Sequence, residues 1–221
     1  MSTKKRRPRA TRSKHTLVEQ IRDEVDDVLA RVVAGADPNA PIDVGTDTTP
    51  ISVVLGACVQ MVGHTARAHS LRCGTCNQIH QIDVRKFAWS GGAAELGVLL
   101  EYGTDPNAPI FPGHTALWIA ACFNLVDLIG PLLAAGADPL AKKDKGETPV
   151  DVVLRRDLPL VIAAFDQALA APTYPAVTRA QVLEAVLKAG HDAASKFPAS
   201  ATAHARVMAD KNWSRRRAAA C

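Results

Sequence analysis

The chain has 221 residues, 48% hydrophobic and 22% charged, a normal globular balance that allows a sizeable core to be buried. Its net charge of +4 hides an asymmetry: residues 1–14 carry seven Lys/Arg and no acid, residues 171–221 carry eight basic and three acidic residues, and residues 15–170 carry 11 basic and 19 acidic. An acidic body between basic ends excludes a protein that coats nucleic acid along its whole surface; any such contact has to come from the ends.

No apolar run approaches the roughly 20 residues that span a bilayer, and the basic N-terminus has no apolar stretch behind it. Five cysteines, an odd number, fit reduced thiols better than a disulfide framework. These features set the expectation of an intracellular protein, cytoplasmic or nuclear. Residues 1–15 read as a disordered basic tail. Within it Lys4, Lys5, Arg6, Arg7 and Arg9 form a nuclear-import-like run, which reads equally as a nucleic-acid or acidic-membrane arm or as a solvated tail. No aromatic stands before Phe87, so base stacking by this arm is not expected.

From residue 16 onward two strings recur. One is Gly35-Ala36-Asp37-Pro38-Asn39-Ala40, repeated as Gly103-Thr104-Asp105-Pro106-Asn107-Ala108 and Gly136-Ala137-Asp138-Pro139-Leu140-Ala141. The other is Thr49-Pro50-Ile51, Thr115-Ala116-Leu117 and Thr148-Pro149-Val150. Thr115 to Thr148 and Gly103 to Gly136 are each 33 residues apart, and Thr49 to Thr115 is 66. Thr followed by Pro is a helix start, because the hydroxyl caps and Pro in the first turn gives up no needed donor. Gly after an apolar helical run supplies a left-handed stop, and Asp-Pro-Asn is turn chemistry. Each period therefore reads as helix, turn, helix and extended loop, a unit that buries its apolar face only by stacking on neighbours.

The two strings in register, with Val98-Leu99-Leu100 and Pro131-Leu132-Leu133 before the glycines, resemble the ankyrin repeat over about residues 16–170. The resemblance implies an all-α solenoid of about five helix-turn-helix units with hairpin-like loops, at about 16–40, 41–73, 74–106, 107–139 and 140–170. One or two units are degenerate, since Ile82-Asp83-Val84 stands where a Thr-Pro-Leu start would fall. The family's usual His after Thr-Pro-Leu is missing: Ser52, Trp118 and Asp151 hold its place, so the loops must be tied down differently. Distortion is expected near residues 60–81.

That irregular stretch holds His64, His69, Cys73, Cys76 and His80. Cys73-Gly74-Thr75-Cys76 has the spacing of a zinc knuckle, and two thiolates with His80 and either His69 or His64 would complete a tetrahedral shell. Ankyrin units need no metal and no second CxxC follows, so unbound thiols are the competing reading. A redox pair lacks its usual βαβ setting. No other cofactor is implied. Cys58 and Cys122 fall within first helices, as core or groove-lining residues.

Past Ala170, Pro172 and Pro175 break the chain. Residues 171–221 are expected to form a helical extension with a basic end: a helix over 178–189 that stops at Gly190 and caps the array, then an Ala-rich segment over 201–217.

The resemblance implies that a partner protein contacts the loop tips and the first-helix face. Register places Trp89, Phe111, His114 and Phe123 there, beside a basic edge of Lys145, Arg155 and Arg156; aromatics and Arg are the residue types that anchor interfaces, and the competing reading packs Trp89 against the irregular loop and Phe123 into the next unit. Trp118, in the former His slot, is expected to be buried. The chain shows no phosphate-binding Gly loop, nucleophile elbow or zinc-protease motif, so an enzyme is not expected. The functional expectation is a monomeric scaffold or adaptor, with a nucleic-acid-associated protein working through its tails as the alternative.

Overall fold

The computed structural model describes residues 17–43, 47–68, 92–110, 114–142 and 146–218. These fold into helices and contain no strand. The order is α1 (Leu17–Val33), α2 (Pro50–Ala68), α3 (Gly92–Glu101), α4 (Ala116–Cys122), α5 (Val126–Ala134), α6 (Pro149–Arg156), α7 (Pro159–Ala170), α8 (Ala176–Lys188), α9 (Ala193–Lys196) and α10 (Pro198–Ala218).

The recurring strings become recurring geometry. α2, α4 and α6 each start directly after Thr49, Thr115 and Thr148. α1, α3 and α5 end in one motif. The glycine amide bonds the carbonyl three residues back and the next amide bonds the carbonyl five back, as in Gly103 to Leu100 at 3.1 Å and Thr104 to Leu99 at 3.0 Å. The motif needs a left-handed residue, which Gly35, Gly103 and Gly136 supply at φ of 103°, 89° and 91°. In the turn that follows, Asp37, Asp105 and Asp138 accept from the amide two residues on.

An asparagine ladder ties neighbouring turns together. Asn39 Nδ2 donates to the Gly103 carbonyl at 3.0 Å and its Oδ1 accepts from the Asp105 amide at 2.7 Å. Asn107 makes the same two bonds, at 3.0 and 2.7 Å, to Gly136 and Asp138. Leu140 in the next turn has no amide side chain with which to continue this pattern. Asn107→Ala should cost about 1–2 kcal/mol, since two main-chain groups lose their partner in an exposed setting; urea denaturation followed by circular dichroism measures it.

The expected boundary between units at 41–73 and 74–106 lies outside the described residues. Asn39 reaches straight to the 103–108 turn, α2 packs on α3 and α4, and α3 packs on α1 and α5. Between Thr49 and Gly103 the described residues hold one helix pair, not two stacked ones. α2 is 19 residues long where α4 has seven, and residues 69–91 separate α2 from α3.

One continuous core runs between the helices, with Leu55, Leu96, Leu99, Leu117, Ile129, Leu132, Val150, Val161 and Phe165 all essentially inaccessible. It continues into the C-terminal segment through Val182, Val186 and Phe197. There α10 packs along α7 and α8 touches α6. Two buried charges lock this junction. The Asp166 carboxylate, on α7, accepts from the amides of Ala199 and Ser200 at 2.9 and 2.8 Å, capping α10. The Arg179 guanidinium, on α8, donates to the carbonyls of Leu169, Ala171 and Tyr174, satisfying the end of α7. Lys196 also pairs with Asp157, 2.5 Å away. The expected helix at 178–189 is α8; the later segment starts earlier than expected, at Pro198, and seals α7 itself.

Candidate functional site

The three residues in the former His slot tie down their loops in three ways. Ser52 Oγ accepts from the Thr49 amide at 3.0 Å and donates to the Thr49 carbonyl at 2.7 Å. Asp151 accepts from the Thr148 amide and hydroxyl, each at 2.8 Å, while Thr148 Oγ1 accepts from the Asp151 amide, a full capping box. Trp118 brings no such side-chain cap; its amide donates to Thr115 Oγ1 at 3.3 Å, and its ring meets His114 edge-on with centroids 4.3 Å apart. Trp118 is half-buried rather than buried, its indole packed against the imidazole four residues back.

Between α2 and α4 this arrangement leaves an apolar groove of about 390 Å³. Leu55 and Val59 line one wall, His114, Trp118 and Ile119 the other, and Phe123 stands at its rim, 41% exposed. Leu55 and Val59 share a helix face at a spacing of four. Sequence reasoning missed them because it mapped loop tips and the ends of first helices. The groove was detectable only once α2 and α4 were known to be direct neighbours.

Of the expected interface residues, the structure places His114 and Phe123 on this groove. Arg155 and Arg156 are exposed at the end of α6, where the Arg155 guanidinium pairs with Glu147 at 2.8 Å. Trp89, Phe111 and Lys145 lie outside the described residues, as do the zinc-knuckle set His69, Cys73, Cys76 and His80 and the basic run Lys4, Lys5, Arg6, Arg7 and Arg9. Among the described residues no cluster of His, Cys, Asp or Glu is placed to hold a metal ion, and no helix is long and apolar enough to cross a membrane.

Cys58 is buried beside Glu95, and burial, then the nearby carboxylate, pushes its thiol up to about 12. Burial and Asp138 likewise raise Tyr174 to about 12, partly offset by Arg179. Both groups hold their protons to higher pH folded than unfolded. The unfolded chain thus ionises first, and stability falls as pH rises above about 9. Thermal melts from pH 8 to 11 should show this decline, with Cys58→Ala removing its lower part; a melting temperature flat to pH 11 would contradict it.

The repeated geometry has a counterpart among known families. The family model for the ankyrin repeat matches residues 112–144, which span α4, α5 and the turn that follows. No curated protein matches the chain. The match falls on a repeat whose helix start, second helix, glycine stop and asparagine-bridged turn stand in register, and residues 112–144 are an ankyrin repeat.

Proposed function

We propose that the protein is a non-catalytic adaptor whose first-helix groove takes an apolar anchor from a partner protein. The described array consists of α1, the pairs α2–α3, α4–α5 and α6–α7, and a closing set made by α8–α10, with residues 69–91 between α2 and α3 in sequence. Ankyrin repeats are in general protein–protein interaction modules, which supports the class of function. The observation that carries the reading is Phe123, an aromatic left 41% exposed beside a groove walled by Leu55, Val59 and Ile119. An exposed aromatic at the rim of an apolar concavity marks an interaction site, and such residues dominate binding energy when a partner covers them. A volume of about 390 Å³ suits one or two large apolar side chains. The exposed Arg156 and the Glu147-paired Arg155 favour a partner segment with acidic residues beside its anchor.

The test is a tagged pull-down at low and high salt from the native cell, repeated with Phe123→Ala. A discrete protein partner retained at high salt should weaken at least about 30-fold in the variant. Capture of nucleic acid alone, lost on raising salt and on deleting residues 1–14, would overturn the reading and move the function to the tails.

A further inference from the structure

α10 runs for 21 residues, but only its first part belongs to the core. Ser200 is fully buried, and Ala201, Ala203, His204 and Val207 are half-buried, the spacing of one helix face. Past Val207 that face is lost. Met208, Ala209 and Asp210 are all exposed, Met208 by 46%. Consecutive helical residues point about 100° apart, so three in a row leave no side of the helix covered. The backbone nevertheless stays helical to Ala218, a projection of about 16 Å beyond the packed part. An isolated segment this short is a marginal helix in water, but one that continues a docked helix starts from a nucleus already formed.

What the projection carries is charge. Residues 206–217 hold Arg206, Lys211, Arg215, Arg216 and Arg217 against a single acid, Asp210. By helical register these five positions fall all round the axis and leave no apolar stripe between them. That distribution does not suit a helix lying in a membrane interface, which needs one apolar face. It suits a polyanion with charge on both sides of the helix. The major groove of B-form DNA, about 12 Å wide, admits a helix between two rows of phosphates. The deep, narrow major groove of duplex RNA does not. Residues 15–170 carry 11 basic and 19 acidic residues, so phosphates repel the array itself and contact is confined to the projecting end.

We infer that the C-terminal part of α10 binds duplex DNA, with Lys211, Arg215, Arg216 and Arg217 on phosphates of both strands along the major groove. Phosphate contacts position a protein without reading sequence, so the binding is sequence-tolerant. The root of the helix is held to the array by the Asp166 cap on Ala199 and Ser200 and by Phe197 in the core, so the projection is carried at a fixed angle. The first-helix groove uses none of these residues, and the DNA contact does not depend on it.

The test titrates the full chain into a fluorescein-labelled DNA duplex and follows anisotropy as salt rises from roughly 50 to 200 mM. Arg215→Gln/Arg216→Gln/Arg217→Gln should bind at least about tenfold more weakly at low salt and lower the salt slope by about 2–3. Ala209→Pro keeps every charge and breaks the helix where its packing ends. It should also bind at least about tenfold more weakly, with the thermal melt of the array unchanged. The DNA duplex should be preferred over an RNA duplex of the same sequence by at least about fivefold. That preference should survive replacement of Lys4, Lys5, Arg6 and Arg7 by glutamine, because the helix supplies it. Phe123→Ala should leave DNA binding unchanged, which separates this contact from the first-helix groove. Full-strength binding by Ala209→Pro, or equal binding of the two duplexes, would overturn the inference. So would capture by phosphatidylserine vesicles in place of DNA.

Discussion

Phe197→Ala should destabilise the whole array by about 3–5 kcal/mol, the usual cost of removing a fully buried aromatic. The residue sits between α9 and α10 and is completely inaccessible. It belongs to the same core as Phe165 and Leu169 of α7, so the cavity would open inside the end of the solenoid and not in an appendage. In a stacked array each pair is stabilised by its neighbours, and loss at one end exposes the next apolar face. A single unfolding transition in urea, shifted to lower concentration, is the expected result. A wild-type transition would show residues 171–218 to be energetically separate from the array.

Asp166→Ala should cost about 2–4 kcal/mol, the sum of a lost cap and of donors left without a partner. Its carboxylate is 6% exposed and accepts from two main-chain amides at the start of α10. Alanine would leave both donors unpaired, the Ser200 amide in a fully buried setting. Ser200 Oγ still donates to the Asp166 carbonyl, so the helix should stay docked but loosened. Hydrogen exchange at Ala199 and Ser200 should rise well before that in α4 and α5. Uniform protection in the variant would mean that the cap is held by apolar packing alone.

Both residues looked unremarkable in the sequence. Phe197 reads as one apolar residue in a polar, Ala-rich tail, and Asp166 as an exposed acid on a helix, because nothing local identifies a partner 34 residues away. Arg179 likewise reads as an ordinary surface charge. The same blindness hid the groove between α2 and α4, which forms between helices of different pairs and depended on their being neighbours.

What the sequence determined by itself is the local grammar. Thr-Pro starts, glycine stops and Asp-Pro-Asn turns specify helices and loops through bonds within a few residues, and those appear where they were read. The position of Phe123 and His114 on the first-helix side also follows from helix register alone. Tertiary structure alone decided which helices pair and how the Asp166 carboxylate comes to cap α10 from 33 and 34 residues away. The reason is physical: hydrogen bonds of short sequence separation are encoded by the residues beside them, whereas packing and buried polar pairing depend on which distant surfaces meet.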